Sequence, residues 1–123
     1  MHVPLNDSTR HMVGAGELAL MKPEAIIVNT SRGPVIDEQA LAEALRDGEI
    51  FAAGLDVFER EPEVNELLLE QPSAVAIPHL NSATVDTRIA MGMLAAENLI
   101  AALEGRKPPT LINPDAWDRR RAT

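Results

Sequence analysis

Hydrophobic positions along the chain follow two rhythms. Ala25-Ile26-Ile27-Val28-Asn29 is a short, continuously apolar, β-branched run, and Ile50 to Val57 and Ala74-Val75-Ala76-Ile77 read the same way. Uninterrupted runs of that length are expected for strands buried on both faces of a parallel sheet. Between and after them the period lengthens to that of a helix. Asp37 caps a helix with Ala40, Leu41, Ala44 and Leu45 on one side, and Gly48 closes it. A long helix is predicted from about Thr84 to Leu103, with Ile89, Met93, Ala96, Ile100 and Leu103 along one stripe.

Shorter signals fill the gaps. Asp7 or Ser8 can cap a short helix ended by Gly14, and Glu17 to Met21 reads as a helical turn or two before Lys22-Pro23. Ser31-Arg32-Gly33-Pro34 is a turn. Glu59 to Gln71 is an acidic, proline-containing connection with a helical patch at Leu67 to Leu69, and Pro78 ends the third strand. Past the long helix, Pro108-Pro109 and Asn113-Pro114 mark an extended tail. The expected organisation is therefore one α/β domain over residues 1–106, including the helix at 84–103, followed by a tail over 107–123. Alternating strands and helices imply a parallel sheet, and right-handed crossovers bring all three strand C-termini to one edge. Ligands of open α/β sheets bind outside that edge.

Composition narrows the functions available. With 46% hydrophobic residues in 123, the chain can build a real core. A formal net charge of -8 argues against nucleic acid or anionic membrane as partners. The basic cluster Arg119-Arg120-Arg121 reads as a solvated tail end. The absence of cysteine removes disulfides, thiolate metal sites and cysteine nucleophiles, and fits a reducing compartment. Aromatics are only 2%, which leaves base stacking without support. The N-terminus does not read as a signal peptide and the apolar runs are too short for a membrane span, so a soluble protein is expected.

The sheet edge gathers candidate chemistry. Arg32, beside a Gly33 suited to a tight turn, follows the first strand. Asp56, Glu59 and Glu61 follow the second, and His79 follows the third. One cation, several carboxylates and an imidazole at one edge fit an acid–base site, and spacing alone equally allows surface charges and a structural histidine. Other signals are weaker. Gly14-Ala15-Gly16 lacks the third glycine and the preceding strand of a dinucleotide loop, His2, His11 and His79 have no metal-ligand spacing, and Met91 and Met93 read as packing residues.

His2-Val3-Pro4-Leu5, Asn29-Thr30-Ser31-Arg32-Gly33, Gly54-Leu55-Asp56-Val57-Phe58, Glu61-Pro62, Pro78-His79-Leu80-Asn81-Ser82-Ala83-Thr84 and Leu111-Ile112-Asn113-Pro114 stand in order along the chain. Together they resemble the signature stretches of the D-isomer-specific 2-hydroxyacid dehydrogenases. The resemblance implies the second half of a Rossmann-like, doubly wound parallel sheet with a long C-terminal helix, within a cytoplasmic homodimer. It implies NAD or NADP as cofactor and a small 2-keto or 2-hydroxy acid as substrate. Arg32 would grip the substrate carboxylate, His79 would be the general acid–base, and Glu61 would pair with His79 and favour imidazolium. Val3, Thr30, Ser31, Arg32, Asp56, His79, Asn81 and Ser82 would meet the cofactor. Asn81 stands where the family commonly has glycine; asparagine tolerates a positive φ, so the turn is expected to survive.

The same resemblance puts the glycine-rich pyrophosphate loop upstream of Met1. The chain is accordingly expected to be a truncated form, marginally stable or self-associating through exposed apolar surface, with little or no turnover alone. A non-catalytic binding or assembly module of the same ancestry is the alternative.

Overall fold

A computed structural model describes residues 1–119, and its chain divides into two compact units, Met1–Asn81 and the segment from Ser82 onward. Arg120 and Arg121 of the basic cluster lie outside the described residues. The first unit runs α1 (Ala15–Leu18), β1 (Ile26–Asn29), α2 (Glu38–Arg46), β2 (Ala52–Leu55), α3 (Glu66–Leu69) and β3 (Ala74–Ala76). Its strands form one parallel sheet in the order β1-β2-β3, with Ile27 opposite Ala53, and Val28, Gly54 and Val75 side by side. This is the expected α/β architecture, with all strand C-termini at one edge.

The core has a simple origin. In a strand, alternate residues face opposite sides. Ile27, Ala53 and Leu55 point to one side, where Leu18 of α1, Leu41, Ala42, Ala44 and Leu45 of α2, and Leu68 of α3 meet them. α2 forms where expected. The Asp37 carboxylate accepts from the Ala40 amide at 3.0 Å, and past the helix Gly48 takes φ 71, which glycine adopts without a Cβ penalty.

Three expectations need correction. The sheet is not buried on both faces: Ile26 and Val28 are 59% and 50% exposed, and Val75 is 63% exposed. Within the first unit the helices pack on the Ile27 side, and continuous apolarity cannot reveal which face has a cover. Residues 6–12 form turns rather than a helix; the Asn6 carbonyl accepts from the Thr9 and Arg10 amides, and its side-chain oxygen accepts from the Ser8 amide, which competes with helix continuation. The turn expected over Glu17–Met21 begins earlier, at Ala15, with the Glu17 carboxylate accepting from the Gly14 amide at 2.9 Å.

The second unit contains α4 (Val85–Leu103) and α5 (Pro114–Asp118). Thr84 caps α4 by accepting from the Thr87 amide. Asn98 ties the following segment to the helix: its amide nitrogen donates to Thr110 Oγ1 at 2.7 Å and its oxygen accepts from the Thr110 amide at 3.2 Å. Two further corrections belong here. The segment read as an extended tail contains a helix started by Pro114, whose fixed φ suits a first helical position. Met91 and Met93, read as packing residues, are exposed, as are Ile89, Ile100 and Leu103 of the stripe. Among the described residues no helix is long and apolar enough to cross a membrane.

Candidate active site

Two of the three strands, β1 and β2, end in a loop organised by a polar residue at the last or next position. At the end of β1 this is Asn29, only 1% exposed. Its side-chain oxygen accepts from the Ser31 amide at 3.1 Å and the Ser31 hydroxyl at 2.8 Å, while its nitrogen donates to the Arg32 carbonyl at 3.0 Å. Asparagine favours such local turns because its side chain mimics a backbone amide. Thr30, Ser31 and Arg32 are thereby presented at the edge. Gly33 follows, and the reason for glycine is proximity rather than torsion: a Cβ there would lie 1.9 Å from the Phe58 carbonyl carbon and oxygen.

At the end of β2, Asp56 is 1% exposed and reaches across to the loop after β3. It accepts from the Leu80 amide at 2.5 Å and from the Asn81 amide at 2.9 Å. Both oxygens of the carboxylate expected beside the nicotinamide thus hold the turn that follows His79. The left-handed residue of that turn is His79, at φ 52, so Asn81 does not draw on its tolerance of a positive φ. Asn81 instead donates through its side chain to the Thr30 carbonyl at 2.9 Å, joining the β1 and β3 loops. Glycine could not make that link.

The pairing expected between Glu61 and His79 is present. Glu61 Oε2 lies 3.0 Å from His79 Nδ1, and Glu61 Oε1 accepts from the Phe58 amide at 3.0 Å. The hydrogen bond with His79 holds the Glu61 carboxyl below the usual carboxylate range. Desolvation opposes this, and the Phe58 amide and the positive charges of His79 and Arg32 add to it. Since Nδ1 is engaged, Nε2 is the ring nitrogen left to face a ligand.

Arg32 is exposed and donates from Nη1 to the Ser31 carbonyl at 2.6 Å. His2, Val3, Pro4, Leu5, Thr30, Ser31 and Arg32 line one open depression of about 550 Å³. A smaller pocket of about 190 Å³ lies between Phe58, Glu61, Pro62, Val64, Pro78 and His79. The first unit therefore gathers Val3, Thr30, Ser31 and Arg32 in one place and Glu61 and His79 in another, with Asp56 and Asn81 linking the loops. Ser82 is exposed and opens the second unit.

Sequence reasoning left three residues of this arrangement unassigned. Asn29 carried a detectable signal, a polar residue ending an apolar strand. The other two gave none: His11 Nε2 pairs with Glu59 Oε1 at 2.5 Å across 48 positions, and the buried Glu38 engages the Glu59 and Asn65 amides. Contacts of that sequence separation have no periodic trace.

Comparison with known proteins adds lineage to the geometry. The family model for the D-isomer specific 2-hydroxyacid dehydrogenase, NAD binding domain, matches residues 1–81. The chain is 53% identical over 115 residues to a glyoxylate reductase of Thermococcus litoralis, covering 94% of this chain and 35% of that protein. It is 54% identical over 113 residues to glyoxylate/hydroxypyruvate reductase B of Enterobacter agglomerans, covering 91% and 35%. Among solved structures, an NADPH-dependent glyoxylate/hydroxypyruvate reductase of Sinorhizobium meliloti, in complex with NADP and malonate, superposes with a TM-score of 0.87 at 42% identity. That match covers 99% of this chain and 38% of the other. The chain thus spans about a third of the length of these relatives.

Proposed function

Because this chain belongs to the D-isomer specific 2-hydroxyacid dehydrogenases, we propose that it carries the proton-transfer and carboxylate-binding side of a site interconverting a small 2-keto acid and a D-2-hydroxy acid. The observation that carries this reading is the His79–Glu61 pair at 3.0 Å, at the same strand-end edge as Arg32. Reduction of a keto acid needs an anchor for the carboxylate, a proton for the carbonyl oxygen and a defined approach for both. Arg32 anchors the carboxylate with its planar guanidinium. Glu61 holds His79 Nδ1, which directs Nε2 at the carbonyl oxygen; from there His79 gives up its proton in reduction and recovers it in oxidation.

The residues present fit a nicotinamide cofactor. Val3, Thr30, Ser31 and Arg32 share the open depression, which His2, Pro4 and Leu5 also line. When bound, NAD or NADP supplies or accepts the hydride. Asp56 and Asn81 keep the β3 loop against the β1 loop, and so keep His79 in place. Glyoxylate and hydroxypyruvate are the substrates we assign, following the relatives' names. A homodimer is the assembly we assign, in keeping with the apolar side chains exposed on β1 and β3.

The test is NADH- and NADPH-dependent reduction of glyoxylate and hydroxypyruvate by the chain and its Arg32→Ala and His79→Ala variants. Turnover that falls by roughly 10²- to 10⁴-fold in His79→Ala, and falls also in Arg32→Ala, supports the reading. Turnover surviving both substitutions defeats it. If the chain alone does not turn over, titration with hydroxypyruvate decides: movement of the Arg32 side-chain and His79 ring NMR signals supports the site, and their indifference defeats it.

A further inference from the structure

Glu38 is a carboxylate that is only 8% exposed and has no part in holding substrate or cofactor in the reading above. It occupies the first position of α2, where the positive end of the helix dipole favours an anion. Its two oxygens are divided between two amides of one loop. Oε2 accepts from the Glu59 amide and Oε1 from the Asn65 amide, each at 2.7 Å. Between those two amides lie Arg60 to Val64, and among them is Glu61.

Neighbouring contacts tighten the same bracket. The Glu59 carboxylate returns toward the Glu38 amide at 3.4 Å and pairs with His11 through its other oxygen. Asn65 donates to Gln39 Oε1 at 2.7 Å and caps α3. On the far side of the loop, Glu61 reaches His79 Nδ1 and the Phe58 amide. A carboxylate offers acceptors on both oxygens, whereas a carboxamide offers one acceptor and a donor. A carboxyl group at position 38 can therefore present an oxygen to each end of the loop, which a carboxamide in the same place cannot.

We infer that Glu38 is a positioning residue for the proposed reaction: by clamping the Glu59 and Asn65 amides it fixes the loop on which Glu61 orients His79. This rests on the reading of His79 as the proton-transferring group. Glu38 acts through Glu61 and touches no reacting atom.

The experiment is residue-resolved amide hydrogen exchange on the 123-residue chain and its Glu38→Gln variant, with the His79 ring nitrogens observed on the same samples. Hydrogen bonds to a charged acceptor are strong enough that Glu59 and Asn65 should exchange at least ~10-fold faster in the variant. Phe58 should follow, since its amide donates to Glu61, and the His79 Nδ1 signal should shift. Leu41 and Ala53, bonded to Asp37 and Ser73, should keep their rates. A simple staple between α2 and α3 would release Glu59 and Asn65 but leave Phe58 and His79 unchanged, and that result overturns the inference. If Glu38→Gln does not fold, the unmodified chain decides. Phe58, Glu59 and Asn65 exchanging as one slow group supports the clamp, and Phe58 exchanging independently overturns it. Where turnover is measurable, kcat should fall while KM for hydroxypyruvate holds, and an unchanged kcat overturns the inference. The exchange readouts need no turnover, so a failure of hydroxypyruvate to bind, which defeats the functional reading, is seen separately.

Discussion

At Gly33 two loops pass so closely that a methyl group has no room, since its Cβ would also lie 2.5 Å from the Glu59 amide nitrogen. Replacing glycine by alanine at a tolerant position stabilises a protein by about 0.4–1 kcal/mol through the unfolded chain. Here the neighbour is backbone, which cannot rotate aside, so Gly33→Ala should instead cost about 2–3 kcal/mol, as overpacking does. Urea denaturation reads the sign directly, and a variant as stable as the parent would show that the loops can separate freely. The depressed Glu61 carboxyl makes a second claim. Its folded value lies below its unfolded value, so ionised Glu61 contributes stability above the ordinary carboxylate range. That contribution disappears as pH falls through the folded value. The stability difference between the chain and Glu61→Gln should shrink on acidification, and a difference that grows toward low pH would reverse the assignment. Arg32, Glu61 and His79 could be proposed from the sequence because they stand in the loops that follow the three strands, with their roles taken from the family resemblance. Their supports could not be: Asp56 binds amides 24 and 25 positions away, and the positive φ falls on His79, directly before the two residues whose amides Asp56 binds.

For the elements, legibility tracked local causes. α2 was predicted nearly to its ends because its cap, its apolar stripe and its closing glycine are all local. α4 was likewise bounded by Thr84 and Leu103. The stretch before α1 failed although its cause is local too: Asn6 and Thr9 are residue types that serve as helix caps or as turn formers, and here their side chains satisfy the backbone in turns. Asp37→Ala should therefore lower stability by about 1 kcal/mol, the usual cost of an N-cap, and thermal unfolding followed by circular dichroism checks it. Leu41, 1% exposed in the core beneath β2, should lose roughly 2–5 kcal/mol on truncation to alanine. If the two losses were equal, α2 would be held mainly by its cap, contrary to the burial of its inner face.

Taken as a whole, the described chain leaves large apolar side chains exposed in each of its two units. Val28 and Val75 flank Gly54 on the bare sheet face, and Ile26 continues the row. Glycine contributes no side chain to separate the two valines, so this face offers water a nearly flat apolar strip. Large contiguous patches of this kind drive association. The chain should therefore bind an apolar dye while folded and gain average mass with concentration in sedimentation experiments. Val28→Lys tests whether this face is responsible. Position 28 is half exposed, so a lysine can extend into solvent without disturbing Ile27 on the opposite side, and association should weaken while the fold survives. A chain that sediments as a monomer at every concentration, or a lysine variant that associates as before, would move the source of instability to the other exposed surface, the side chains of α4. That distinction also bears on the site, because β1 supplies the strand end from which Asn29 arranges Thr30, Ser31 and Arg32. A cover over Val28 would steady that strand, and with it the group proposed to hold the substrate.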